Sequence, residues 1–183
     1  MNLLQKFKHY LYYSYSKKKY KSEEQNQRQF INYSKVENCL LVIVANGVDD
    51  LIQIQDIANI LTQDKKDFTI CCYVRNKKIE MPSYDKKHIF FNTKNISWSG
   101  KPKIDVINKI KKQKYSIVFD ITQNSYIPLL YVIDEVSATM SCGTSGNDVY
   151  RHDLKIDISN FNTITGIDIL RQFIHYLKTI NTR

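Results

Sequence analysis

From residue 38 onward the chain alternates uninterrupted apolar runs with segments whose apolar positions recur at helical spacing. Residues 39–45 (CLLVIVA), 68–74 (FTICCYV), 89–91 and 115–121 (YSIVFDI) are continuous runs bounded by polar or turn residues, a pattern suited to parallel strands covered on both faces. Between them, residues 51–61 carry apolar side chains at 51, 54, 57, 58 and 61, and residues 104–110 carry them at 104, 107 and 110. Each predicts a helix with one apolar stripe. A further helix is predicted from Tyr126, with Pro128 tolerated in its first turn and Leu129, Leu130, Ile133 and Val136 facing inward. Residues 139–142 and 154–158 read as strands, the latter alternating Leu154, Ile156 and Ile158 as an edge strand does. The last helix has Thr165 as its cap, Asp168 placed to reach back to it, and a stripe of Ile167, Leu170, Phe173, Ile174, Leu177 and Ile180. This order predicts a Rossmann-like α/β fold, a doubly wound and mostly parallel sheet of about six strands with helices on both faces.

The first thirty residues follow a different pattern, so the chain divides into a Tyr/Lys-rich extension over 1–30 and a single α/β domain over 31–183. Leu3, Phe7, Tyr10, Leu11 and Ser14 fall near helical spacing and predict a short amphipathic helix over 2–14, followed by a polar linker over 22–29. A helix of that length is marginal alone in water, so it is expected to form when docked.

At 183 residues and 43% hydrophobic composition the chain can build a core without disulfides or metal. Cys39, Cys71, Cys72 and Cys142 each sit in an apolar run with no C-x-x-C pair, which reads as buried thiols in a reducing compartment. Adjacent Cys71 and Cys72 would point to opposite faces of a strand and so cannot bridge. No apolar stretch reaches the length of a spanning helix and the N-terminus lacks a signal-peptide pattern, so a soluble, cytoplasmic protein is expected.

Charge divides unevenly. The chain has a formal net charge of +9, yet residues 1–30 hold seven Lys or Arg against two acids, and residues 64–114 hold fourteen against five. Everything else is net acidic. Lysine pairs at 65–66, 77–78 and 86–87 sit in predicted turns, and the helix around 104–110 carries Lys103, Lys109, Lys111, Lys112 and Lys114. Were these elements to share a flank, they would form a positive surface suited to a polyanion. Tyrosines at 10, 12, 13, 15 and 20 interleave with Lys6, Lys8, Lys17, Lys18, Lys19 and Lys21, favouring nucleic acid, because rings stack on unpaired bases while ammonium groups neutralise phosphates. The Leu3, Leu4, Phe7 and Leu11 face also offers a membrane-surface alternative.

Candidate chemistry is sparse. Residues 45–50 hold one glycine where a dinucleotide fingerprint needs three, and read as a turn with Asp50 as helix cap. Residues 97–102 (SWSGKP) place a Gly-Lys pair before a helix, but Asn95 and Pro102 break the phosphate-loop spacing, leaving a capping turn anchored by Trp98. Asp120 interrupts an apolar strand and must find hydrogen-bond partners or shift its pKa. His9, His88, His152 and His175 show no metal spacing, and Gly143 to Gly146 has a G-x-x-G spacing outside any KH-type context. No nucleophile elbow, triad ordering or carboxylate pair is present, so no catalytic residue, cofactor or metal is assigned.

The order of elements, the 99–102 turn after the third strand, and the block 115–122 (YSIVFDIT) followed by 126–130 (YIPLL) resemble an uncharacterised bacterial family of unknown function over residues 30–180. That family also carries a basic N-terminal extension, and the resemblance implies architecture without an activity. More distantly, residues 115–143 resemble one Rossmann-like half of heptosyltransferase-type glycosyltransferases, without room for the second half or a catalytic motif.

The expectation is therefore a non-catalytic RNA-binding, ribosome-associated protein using Lys6, Lys8, Lys17, Lys18, Lys19, Lys21, Lys77, Lys78, Lys86, Lys87, Lys109, Lys111 and Lys112. The alternatives are a small-ligand protein or enzyme with a strand-end crevice around Asn46, Trp98, Lys101, Asp120 and Ser125, and an adaptor or membrane-surface protein docking through the N-terminal helix.

Overall fold

A computed structural model describes residues 3–23, 29–81, 87–145, 152–161 and 163–180; for residues 20–23 it describes the backbone alone. Six parallel strands make one sheet: β1 (Asn38–Ala45), β2 (Asp67–Val74), β3 (His88–Asn92), β4 (Tyr115–Asp120), β5 (Ala138–Thr144) and β6 (Leu154–Ile156). Their spatial order is β3-β2-β1-β4-β5-β6, the doubly wound Rossmann order. The chain winds outward from β1 to β3, returns, and continues from β4 on the other side of β1. Right-handed crossovers then require the helix that leads outward from β1 and those that lead back to β4 and on to β5 to lie on opposite faces.

One face is covered by α2 (Val48–Gln63) and α5 (Gly166–Thr179), the other by α3 (Ile104–Ile110) and α4 (Ile127–Glu135). The strands read as unbroken apolar runs because both faces are buried. Leu41 and Ile43 face the first layer, Leu40 and Val42 the second, and Cys71 and Cys72 divide in the same way. All four thiols are free and buried, and burial pushes Cys39 up to about 12 and raises Cys71, Cys72 and Cys142 as well. Such thiols are unreactive.

The predicted stripes of α2 and α5 face the core, and Thr165 caps α5 with Asp168 reaching back to the Thr165 N–H at 3.0 Å. Three details differ from the sequence reading. The cap of α2 is Gly47; Asp50 sits one turn in and accepts from the Asn46 and Gly47 N–H groups at 2.7 and 3.1 Å, because the chain leaves β1 straight into the helix. In α3, Val106 replaces Ile104 on the buried face, and Ile104 is 71% exposed. In α4, every side chain from Ile127 to Asp134 is buried, so this helix has no solvent face at all.

The cover over α4 is α1 (Leu3–Glu23), longer than the helix predicted over 2–14. Its inward face is also different. Tyr12 and Ser16 are buried and Tyr15 half-buried, whereas Leu3, Phe7 and Tyr10 point to solvent. Tyr12 meets Tyr131 edge-on at 5.0 Å between ring centroids and Tyr15 meets the same ring at 5.1 Å, so tyrosines rather than aliphatic residues dock the helix. The polar run predicted as a linker lies largely outside the described residues.

At the carboxyl ends of β4 and β5, Asp120 is buried and accepts from Thr122 N–H at 3.1 Å and Thr122 Oγ1–H at 2.6 Å, while Thr144 Oγ1–H donates to the Thr122 carbonyl at 2.9 Å. His152 Nε2 lies 3.4 Å from the other Asp120 oxygen, and its ring fills the space over Gly143 that a Cβ would need. Gly146, the second glycine of the G-x-x-G spacing, lies outside the described residues. Gly143→Ala is therefore expected to destabilise the fold by about 1–3 kcal/mol in urea unfolding. The double variant with His152→Ala should cost less than the sum of the two singles; strict additivity would show that ring and methyl do not compete.

Candidate nucleic-acid interface

The sheet separates the charges of its two helical layers. Over the helices alone, α1, α3 and α4 hold seven lysines (6, 8, 17, 18, 19, 21 and 109) against Glu23, Asp105, Asp134 and Glu135, for a net formal charge of +3, and the segments flanking α3 add Lys101, Lys103, Lys111 and Lys112. The opposite layer holds Asp49, Asp50 and Asp56 of α2, with Asp168, Arg171 and Lys178 of α5, for a net −2. The sheet holds the two signs apart, so the net positive charge stays over α1 and the segments flanking α3.

On α1 the exposed residues Lys6, Tyr10, Tyr13 and Lys17 follow one another at spacings of four, three and four, which aligns them along one side of the helix. The rings of Tyr10 and Tyr13 are 67% and 63% exposed. Lys18 is exposed and Lys8 and Lys19 are half-buried. At the N-terminal end of the helix, Phe7 stacks at 6.2 Å on Trp98, which is 71% exposed. The predicted anchor thus grips α1 and not the body of the domain. The turn that presents it closes through Gly100 N–H to the Ser97 carbonyl at 3.0 Å, with Gly100 at φ +92°, where a Cβ would also lie 2.9 Å from Ile127.

Glu135, which sequence reading did not single out, fixes this arrangement. Its Oε1 accepts from Tyr15 Oη–H at 2.8 Å and Lys101 Nζ at 2.7 Å, and its Oε2 from Lys111 Nζ at 2.9 Å. One carboxylate at the end of α4 therefore ties together α1, the 97–102 turn and the end of α3. Burial pushes its carboxyl up, but the hydrogen bonds from Lys101, Lys111 and Tyr15 outweigh that and bring it down to about 2 from an ordinary 4.5. Desolvation and the same hydrogen bond to Glu135 push the Tyr15 phenol up. The Lys101 ammonium also lies over the rings of Tyr15 and Tyr131 at 4.9 and 5.9 Å.

The lysines predicted to bind polyanion divide by position. Lys6, Lys8, Lys17, Lys18, Lys19, Lys109, Lys111 and Lys112 belong to the α1/α3/α4 layer. Lys77 and Lys78 follow the carboxyl end of β2, and Lys87 precedes β3 at the other end of the sheet, 2.7 Å from Asp67. Lys86 and the side chain of Lys21 lie outside the described residues.

The five crevice residues also separate. Asn46 follows β1 and accepts from Arg75 Nη1 at 3.0 Å, and Arg75 lies 5.3 Å over the Tyr126 ring. These side chains bridge the ends of β1 and β4, the point where doubly wound sheets reverse and take their ligands. Beneath them Asp120 is fully enclosed, Ser125 is half-buried in the same loop, and Gln123 donates to the Ile164 carbonyl. Trp98 and Lys101 turn instead toward α1 and α4. Among the described residues no group of three His, Cys, Asp or Glu side chains could hold a metal ion, and no helix is long and apolar enough to cross a membrane.

A family model described as a family of unknown function (DUF6913) matches residues 8–180, and the chain belongs to that family. No curated protein and no solved structure matches it, so the likeness to heptosyltransferase-type enzymes gains no support.

Because the Glu135 pKa is lowered in the folded state, its contribution is complete above about pH 4.5 and is lost as pH falls toward 2. Glu135→Gln is expected to destabilise the protein at neutral pH by about 1 kcal/mol, a modest figure because Lys101 and Lys111 are 40% and 46% exposed. It should also flatten the fall of Tm between pH 4.5 and 2. Identical acid limbs for wild type and variant would refute this account of the cluster.

Proposed function

We propose that this member of the family binds RNA through the α1/α3 face, without acting on it chemically. The observation that carries the reading is the charge difference between the two helical layers, +3 against −2, with four more lysines flanking α3 and the exposed Lys6–Tyr10–Tyr13–Lys17 line running across the positive layer. Phosphates need cations at a few ångströms and unpaired bases need exposed rings. A rigid helix presenting both in alternation supplies the two at fixed spacing. The enclosed Asp120 and the four thiols raised by burial offer no competing chemistry at the surface. Ribosomal RNA is the natural first target, because it is the most abundant structured RNA that also displays unpaired segments.

Gel shifts of the full chain with total RNA should show affinity falling with salt at a log–log slope of about −4, as five or six phosphate contacts require. Lys17→Ala with Lys18→Ala should reduce that slope by about 1.5, and Tyr10→Ala or Tyr13→Ala should each cost about 1–3 kcal/mol where a base stacks. Arg171→Ala, on the opposite layer, should change nothing. Failure to bind RNA at low salt would end the proposal; retention on phosphatidylserine vesicles in that case would assign the exposed Leu3, Leu4 and Phe7 to a lipid surface.

A further inference from the structure

A cleft of about 350 Å³ opens between the 97–102 turn, α3 and the end of α4. Its polar lining is Lys101, Lys111, Glu135 and Asn108; its apolar lining is Pro102, Ile104 and Ile107. We infer that this cleft receives one unpaired nucleotide of a bound RNA strand, an inference that rests on the RNA reading above and assigns the subsite within that face.

Several features converge on that ligand. The two ammonium groups are held at 2.7 and 2.9 Å on separate oxygens of one carboxylate, so they stand side by side with their positions fixed, and each has three N–H donors of which Glu135 engages one. A group with two accepting oxygens fits the donors that remain. The net charge of two lysines and one glutamate is +1, which a single phosphodiester neutralises; a free nucleotide monophosphate, with about two negative charges, would leave an excess in a partly enclosed space. Beside the lysines, Ile104 presents an apolar side chain that is 71% exposed, with the buried Pro102 and Ile107 next to it in the lining. Asn108 adds an amide that both donates and accepts, the pairing that reads a base edge. The volume lies at the lower end of the range for small-molecule sites, the size of one nucleotide and not of a longer ligand. The cleft also borders the inward side of α1, since Lys101 packs on Tyr15.

The test compares a short oligoadenylate, inorganic polyphosphate and 5′-AMP as ligands of the full chain, with the emission of Trp98 as readout. Trp98 is the single tryptophan, exposed, and three residues from Lys101. Ile104→Ser and Asn108→Ala alter exposed side chains, so both should keep the wild-type Tm. Each should weaken oligoadenylate binding about tenfold, the loss of one base contact, and leave polyphosphate binding within about twofold. Unchanged oligoadenylate affinity in both variants would overturn the nucleotide subsite and leave the RNA reading standing. Wild-type affinity for polyphosphate equal to that for oligoadenylate, or no binding of either, would remove the RNA reading and the subsite with it. Binding of 5′-AMP as tight as that of the oligomer would also overturn the inference, making the cleft a small-molecule site.

Discussion

The structure depends on one packing constraint, that α4 is apolar on every side. A surface helix of an α/β domain keeps a polar face to water; α4 buries all of Ile127 to Asp134, and its sequence IPLLYVIDE reserves polar positions for its end. The sheet covers one side and α1 the other. Fully burying one large apolar or aromatic side chain stabilises by about 1.5–3 kcal/mol, against at most about 1 kcal/mol for a partly exposed ion pair. Tyr12, fully buried against Tyr131, therefore contributes more to docking α1 than either lysine of the Glu135 cluster does. The cluster does something different. Oxygens that accept from Tyr15, Lys101 and Lys111 fix the rotation and height of the helix, which apolar packing alone leaves loose.

Once α1 is seated, its lysines become part of a surface. A basic tail on a flexible linker would neutralise phosphates at any spacing, with little geometric preference. Here Lys6, Tyr10, Tyr13 and Lys17 are fixed relative to one another by helical geometry and relative to α3 by the Glu135 contacts. The winding of the sheet makes the face electrostatically distinct. Because right-handed crossovers put α2 on one side and α3 and α4 on the other, the aspartates of α2 are removed from the lysines by the full thickness of the sheet. Charge distribution along the sequence is thereby converted into charge distribution across the molecule.

Most of the scaffold is legible in the sequence because it is set by local periodicity. Runs such as CLLVIVA and the 51–61 and 165–180 patterns allow one placement each, and their boundaries shift by only a few residues. The failures occur where periodicity admits two faces. In α1, Leu3, Phe7, Tyr10 and Leu11 make the more hydrophobic stripe, but the partner surface is the Tyr131 ring and the Glu135 carboxylate, and tyrosines satisfy both an aromatic edge and a hydrogen bond. Ile104 fails for the opposite reason. It continues the stripe of Ile107 and Ile110, but it stands at the open end of a seven-residue helix where no neighbouring element reaches it. The candidate site was less legible still, because its central contact joins residues 120 positions apart, and nothing local marks Glu135 as different from any carboxylate ending a helix.

Among the described residues, the polar side chains at the place where this architecture ordinarily works pair with one another. At the ends of β1 and β4, Arg75 bridges Asn46 and Tyr126, the Asp120 carboxylate turns inward to Thr122, and a Cβ added at Gly166, where α5 starts, would lie 3.3 Å from Ile121. A glycine-rich loop would keep that crevice open for a pyrophosphate; the single Gly47 is used to start α2. The strand-end polar residues are thus satisfied by one another, and the lysines that remain with a cleft beside them belong to the opposite flank of α4. The functional reading moves from the carboxyl edge of the sheet to a helical face for that reason. The side chains that distinguish this face, the rings and ammonium groups of α1 and the exposed Ile104 of α3, contribute little to holding the fold together, so their exposure is a property that folding alone does not explain.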